Sequence, residues 1–303
     1  MSAVPYYEEC RATHYPSMWH FISEQISENL GQDFICEDIR QVHQQFHTRS
    51  FRVTDGRQRY FIKVADAAAL PRLECESQGL EHLRIEHNIK LPTVICAGRV
   101  SQYSFLVLEY LKMSEGSADL WFQFGRSLAT LHGTNVQAQY GWDEDNFIGS
   151  TIQPNAWQKK WCHFFAEQRI GYLLQLLQEK NILTISVDNV VTSIKQLLAG
   201  HCPPASPLHG DLWQGNTGFW KNQPVIFDPA FYYGDRETDI AMTELFGRFP
   251  EPFYQGYQET WPLSQDYQYR KPVYQLYHLL NHALLFGGQY IQTAKLHLQH
   301  LDS

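Results

Sequence analysis

Short runs of apolar and β-branched residues open the chain's readable pattern. Ser50-Phe51-Arg52-Val53 and Tyr60-Phe61-Ile62-Lys63-Val64 have the make-up of strands, and Thr54-Asp55-Gly56-Arg57 between them supplies the residues of a hairpin turn. Strand character extends from about Phe34 to Val64. A helix is predicted from about Pro71, a residue suited to a first helical turn. In it Leu73, Leu80 and Leu83 share one face with Glu76, while Glu74 points away from that face. Pro92 to Ala97 and Ser104 to Tyr110 read as further strands.

After Tyr110 the apolar spacing changes to that of helices. Leu120, Phe124, Leu128 and Leu131 recur at helical period behind Asp119, read as the cap. Asn155 is read as opening a second helix with Trp157, Trp161 and Phe165. A third carries Val273, Leu276, Tyr277, Leu280 and Leu284. Short strands are expected around Leu208, at Thr217 to Trp220 and at Val225 to Asp228. The pattern predicts an α+β chain of two lobes: a small β-rich lobe with one main helix over residues 1–110, and a larger, mainly helical lobe over 111–303, hinged near Glu109 to Lys112.

Composition narrows the function. The 303 residues suffice for two lobes, and 44% apolar content excludes a disordered chain. A formal charge of −8 offers no basic excess to displace phosphate counterions, which argues against a nucleic-acid partner. No apolar run reaches membrane-spanning length, and Met1 to Glu9 lacks the apolar core of a secretory signal. Cys10, Cys36, Cys75, Cys96, Cys162 and Cys202 are scattered without CxxC, so reduced thiols, no zinc site and a cytoplasmic location are expected.

The chemistry concentrates in His209-Gly210-Asp211-Leu212-Trp213-Gln214-Gly215-Asn216, followed by Val225-Ile226-Phe227-Asp228. An Asp, an Asn five positions on, and an Asp closing an apolar strand form the set that phosphoryl transfer from ATP requires. Asp211 is the candidate base, with Asn216 and Asp228 as ligands for Mg2+. Each has an ordinary alternative as a turn or cap residue. The pattern matches that of protein kinases except for Gly210 where they carry Arg. His209 is read as a brace of the loop. Asp239 is either a helix cap or a second brace. Trp213 is the aromatic candidate for substrate contact, whereas Trp220, Phe231, Tyr232 and Tyr233 are read as core. Lys63 is either an edge-strand charge or, paired with Glu76, a clamp on the ATP phosphates. Glu109 and Leu111, at the end of the last small-lobe strand, are candidates to meet the adenine edge through their backbone groups. Asp235, Glu237 and the region at Asn155 are candidates for an acidic cleft receiving an ammonium group.

With these residues in place, the chain resembles the fructosamine kinase (ketosamine-3-kinase) family, relatives of aminoglycoside phosphotransferases in the protein-kinase-like fold. The likeness rests on LHGDLWQGN at Leu208 to Asn216, VIFDPAFYYGDRETDIAMTELFG from Val225, FGRSLATLH at Phe124 to His132, YGWDEDNFIGSTIQPN at Tyr140 to Asn155, and YHLLNHALLFGGQY near the end. The resemblance implies ATP-dependent phosphorylation of the sugar 3-hydroxyl of a ketosamine, free or protein-bound, as a repair activity. One departure stands out. The family usually has a Gly-Gly pair in its first hairpin, but Val42 to Ser50 contains no glycine, so side chains obstruct close backbone approach to the phosphates. Competing readings are a kinase of another small hydroxylated amine, such as an aminosugar or choline-like molecule, and a pseudokinase that binds nucleotide without turnover.

Overall fold

The computed structural model describes residues 16–45, 48–84 and 88–301. Met1 to Glu9 and Cys10, with the reading of no secretory signal, lie outside these residues, as do Phe46 and His47 of the glycine-free hairpin. The chain forms two compact units: Met1–Glu81 with Pro92–Lys112, and His82–Leu91 with Met113–Ser303.

The first unit is built on a five-stranded antiparallel sheet. Its strands are β1 (Asp38–Gln45), β2 (Thr48–Thr54), β3 (Arg59–Asp66), β4 (Val94–Val100) and β5 (Tyr103–Glu109), in the order β1-β2-β3-β5-β4. Lys63 therefore lies on the central strand, which removes the edge-strand reading. Two helices accompany the sheet where the pattern predicted one. Helix α1 (Pro16–Leu30) was not anticipated, although Met18, Trp19, Ile22 and Ile26 form an apolar stripe at helical spacing. These four side chains are buried with Phe34, Phe51, Val53 and Ile62, and Trp19 meets Phe51 edge-on with ring centroids 5.0 Å apart. Burial of each such side chain contributes about 1.5–3 kcal/mol. Helix α2 (Leu70–Leu83) buries Leu73, Leu80 and Leu83 as its periodicity predicted, with Glu74 exposed.

The second unit is mainly helical. Helix α3 (Ala118–His132) is capped by Ser117, whose hydroxyl accepts from Leu120 N at 3.3 Å. Asp119 is not the cap as predicted. It lies in the first turn, where a carboxylate suits the positive helix end. After the hairpin of β6 (Asn146–Ile148) and β7 (Thr151–Gln153), Asn155 opens no helix. The helix starts later, at α4 (Trp161–His163), and runs through a π-helical stretch (Phe164–Gly171) into α5 (Tyr172–Glu179). The backbone amide of Asn155 is satisfied by Asp145 Oδ1, not by a helix, and its buried side chain accepts from Arg169 and donates to Asn146 Oδ1.

Helix α6 (Val187–Leu197) leads to β8 (Ser206–Leu208). The hairpin β9 (Thr217–Trp220) and β10 (Gln223–Ile226) follows, and then β11 (Tyr232–Gly234), which pairs with β8. The unit closes with α7 (Glu237–Thr243), α8 (Glu251–Thr260), α9 (Tyr267–Phe286) and α10 (Gln289–Leu301). Facing glycines let α3 and α8 touch backbone to backbone. A Cβ on Gly125 would meet Phe253 O at 1.9 Å, and one on Gly256 would meet Phe122 O at 2.0 Å. Among the described residues, no helix is long and apolar enough to cross a membrane. Cys36, Cys96, Cys162 and Cys202 are free thiols.

Candidate functional site

The loop between β8 and β9 carries Asp211 and is held mainly from behind. Asp239, in the first turn of α7, accepts from the amide of His209 at 2.7 Å and from the amide of Gly210 at 2.9 Å. His132 Nε2 lies 3.2 Å from the same carboxylate, while its Nδ1 lies 2.8 Å from the hydroxyl of Tyr257. The Asp239 carboxylate can only accept, which assigns the imidazole proton to Nε2 and leaves the Tyr257 hydroxyl, itself accepting from Arg236 at 3.0 Å, to donate to Nδ1. Burial alone would raise the Asp239 carboxyl, but the neighbouring His132 and His209 and the Gly210 amide outweigh it and hold the group below its ordinary value. Asp239 thus holds the loop's backbone, while Asp235, ahead of the helix, accepts from the amide of Glu237 at 3.1 Å.

His209 is fully buried, and both ring nitrogens are engaged. Nε2 donates to Phe227 O at 2.9 Å and Nδ1 accepts from the amide of Asp211 at 3.2 Å. Burial depresses its basicity. The ring therefore ties Asp211 to the strand end that carries Asp228. Gly210 explains the departure from the protein-kinase pattern. Its φ is +81°, and a Cβ would lie 2.0 Å from Ala230 O.

At the front, Asn216 Nδ2 donates to Asp211 O at 2.9 Å and to Asp211 Oδ2 at 3.1 Å. The amide of Phe227 donates to Asn216 O at 3.1 Å, bringing the end of β10 against the loop. Asp228 follows in a left-handed conformation with φ +57°, rare outside glycine and a mark of sites where geometry is imposed. Desolvation, then the charge of Asp228, push the Asp211 carboxyl from 3.8 up to about 7, against the lowering effect of Asn216. The half-buried Trp213 lies over the loop, where a Cβ on Gly215 would meet its indole at 2.3 Å.

The first unit holds the other predicted set. Lys63 Nζ donates to both carboxylate oxygens of Glu76 at 2.8 Å, with side chains 9% and 14% exposed. At the end of β5, Glu109 Oε2 accepts from the amide and the hydroxyl of Thr93, and Leu111 is buried. The structure thus brings Asp211, Asn216, Asp228, His209 and Asp239 together in one unit, and Lys63 with Glu76 in the other.

Asp235 and Glu237 do not form an open acidic cleft. They are 1% and 3% exposed, and their oxygens are occupied. Arg270 grips both oxygens of Glu237 at 2.8 Å, while Tyr274 and His201 donate to Asp235 Oδ2 at 2.6 and 2.7 Å. His201, Asp235 and Glu237 are close enough to hold a metal ion, but hydrogen bonds already compensate their charge. Asn155 likewise belongs to an internal network rather than a cleft.

Sequence reasoning missed His278. It is 3% exposed on α9, with Nδ1 3.9 Å from Asp211 Oδ1. The one signal was a histidine beside the apolar stripe of a long helix, which spacing alone does not distinguish from core.

Comparisons with known proteins bear on the family and the fold. The family model described as fructosamine kinase matches residues 18–303. A relative from Vibrio parahaemolyticus, named a probable ketoamine kinase, is 46% identical over 94% of this chain and 100% of its own. Another of that name from Escherichia coli K12 is 43% identical over 94% and 99%. A crystal structure from Haemophilus somnus, put forward as a fructosamine-3-kinase, superposes with a TM-score of 0.89 at 31% identity, covering 94% of this chain and 99% of the other. An aminoglycoside phosphotransferase structure shares the fold, with a TM-score of 0.60 at 14% identity over 92% of this chain and 97% of its own.

Proposed function

The chain belongs to the fructosamine kinase family, and from that premise we propose that it transfers the γ-phosphoryl group of ATP to the sugar 3-hydroxyl of a ketosamine. A ketosamine is the product of a reducing sugar condensing with an amine. Its 3-phosphate decomposes and frees the amine, so the activity is one of repair, and we assign it to the cytoplasm. The observation that carries this reading is Asp211, a carboxylate on a loop whose backbone Asp239 holds from behind and which Asn216 contacts from the front.

Asp211 accepts the proton of the 3-hydroxyl while the hydroxyl oxygen bonds to the γ-phosphorus. The bond from that phosphorus to the β–γ bridging oxygen breaks, and its electron pair leaves with ADP. Such a loose transfer depends on positioning and charge more than on covalent chemistry. Asn216 and Asp228 would hold magnesium, and the donor set fits. The amide nitrogen of Asn216 is spent on Asp211, so its oxygen remains as the hard donor. The mutual repulsion of Asp211 and Asp228 is what a cation relieves. When bound, the ion supplies charge neutralisation at the phosphates. In this reading Lys63, fixed by Glu76, meets the α- and β-phosphates, Glu109 and Leu111 offer backbone groups to the adenine, and Trp213 contacts the substrate.

The test is ADP release with magnesium-ATP and a fructosamine or ribulosamine of lysine, run beside Asp211→Ala. Amine-dependent turnover in the wild type, reduced by at least about 10³-fold in the variant, is expected. Turnover of an aminosugar or choline-like amine in preference to any ketosamine would reassign the acceptor. ATP binding without any transfer would leave a pseudokinase.

A further inference from the structure

Helix α3 packs against α8 through Gly125, and another of its faces lines an open cavity of about 580 Å3 in the second unit. Gln123, Arg126, Ser127 and Thr130 stand three and four residues apart, so they are neighbours on that face. Asn222, Gln223 and Pro224 of the β9–β10 hairpin also line the cavity. These elements are fixed against each other. Phe124 of α3 meets Phe219 of β9 edge-on, with ring centroids 6.4 Å apart. Lys221 and Asn222, with φ of +47° and +62°, form a two-residue turn whose twist suits the strands it joins. The amide of Lys90 donates to Pro224 O at 2.7 Å and keeps Asn88, a further lining residue, close to the hairpin. No residue of the candidate site lines this cavity.

The lining carries amides, hydroxyls and one cation, with no carboxylate and no aromatic ring. On a chain of formal charge −8 that is a local reversal. Arg126 is exposed, and its guanidinium has neither an ion pair nor a hydrogen bond among the described residues. Ser127 is only 8% exposed, yet its hydroxyl also lacks a hydrogen bond among them. A hydroxyl inside a helix commonly bonds back to the carbonyl four residues earlier, as Thr130 does to Arg126 O at 3.0 Å. Ser127 does not, and unlike the sealed polar atoms of the interior its hydroxyl is open to the cavity. An accessible, unspent hydroxyl beside an uncompensated guanidinium suits an anion. The volume is that of a small-molecule site and exceeds what a bare phosphate needs. The remaining amide side chains suit hydroxyl groups, and without an aromatic ring the lining offers no stacking to a nucleobase.

We propose that this cavity is a second binding site, for a small phosphorylated polyol. The Arg126 guanidinium takes two phosphate oxygens in its fork and the Ser127 hydroxyl donates to the third. Gln123, Asn222 and Gln223 engage the hydroxyls of the polyol. The site is separate from the one that carries Asp211, and it does not depend on the ketosamine reading.

The test is titration calorimetry of the full chain, free of metal and nucleotide, with ribose 5-phosphate, inorganic phosphate and ribitol as probes. Ribose 5-phosphate should bind with a Kd of about 1 mM or lower, and more tightly than either of the other two. Arg126→Gln should weaken it by about tenfold or more, because a charge-assisted fork is lost. Arg126→Lys, which keeps the charge without the fork, should recover part of that loss. Ser127→Ala should cost about threefold. The thermal midpoints of the Arg126 variants should match the wild type, since the guanidinium holds nothing in the fold. Absence of binding at about 10 mM ribose 5-phosphate, or an unchanged Kd in Arg126→Gln, would overturn the proposal. Equal affinity for inorganic phosphate would overturn the polyol part, and equal affinity for ribitol the anion part. Binding lost in Asp211→Asn but kept in Arg126→Gln would place the ligand at the candidate site and overturn the second site outright.

Discussion

Asp211 and Asp239 serve the same loop from opposite sides, and their surroundings push them in opposite directions. Behind the loop, Asp239 is almost wholly buried, yet it receives two backbone amides and stands against His132. Enough donors converge to keep it ionised despite burial. In front, the Asp211 carboxylate has one side-chain donor, Asn216, and a like charge in Asp228, and it moves toward the protonated state. Burial raises both carboxyls, so burial does not separate them. The number of donors does, together with the sign of the nearest charge. Of two carboxylates pushed apart in this way, the one left short of donors is the one fitted to exchange a proton.

The largest effect should come from breaking the rear side. Asp239→Ala strips the acceptor from two loop amides and from His132, all enclosed. Removing one partner of such a buried network costs about 3–5 kcal/mol. The expected outcome is a large drop in the denaturant midpoint, with turnover falling in step as the loop loosens. Stability within 1 kcal/mol of wild type, as an approximate bound, would show that Asp239 is not the brace. Gly210→Ala should cost about 2 kcal/mol through its left-handed backbone and the collision with Ala230 O. Because Ala230 adjoins the Asp228 segment, activity should fall more than stability. A variant with wild-type turnover would mean that the loop tolerates displacement, and the rigidity argued for Asp211 would be lost.

What the sequence disclosed follows the same division. The front of the candidate site was legible as a set, because phosphoryl transfer asks for these residue types at set spacings, and the fold brings Asp211 against Asn216 and near Asp228. Lys63 and Glu76 were legible from the face of α2 that Glu76 shares with Leu73 and Leu80. The rear was harder. Asp239 read equally well as a cap, because an acid in the first turn of a helix suits both roles, and only the three-dimensional path of the loop shows which amides it meets. His132 escaped notice as one residue of a helical stretch, and its partners Asp239 and Tyr257 are more than a hundred positions away. Asn155 misled for a related reason. A polar residue ahead of aromatics resembles a helix start, but its partners Arg169 and Asn146 come from the π-helical stretch and from β6. Helix α1 was legible in its apolar stripe, but no motif drew attention to it.

The smallest effect is also the most discriminating. The Asp211 carboxyl rises in the fold from 3.8 to about 7. Between those values the unfolded chain releases a proton that the folded protein keeps, so folding becomes less favourable as pH climbs. The stability this group contributes is full below about pH 4 and is lost as pH rises through about 7. Asp211→Asn keeps the shape and removes the titration. In the metal-free protein the variant and the wild type should be equally stable near pH 4, and the variant should be more stable by about 1–2 kcal/mol near pH 8, the side chain's 22% exposure screening the rest. Paired denaturation curves at the two pH values measure the difference directly. Magnesium should narrow it by binding the ionised wild type more tightly than the neutral variant. A gap of the same size at both pH values would mean that Asp211 is not held short of donors, and the contrast with Asp239 would lose its front half.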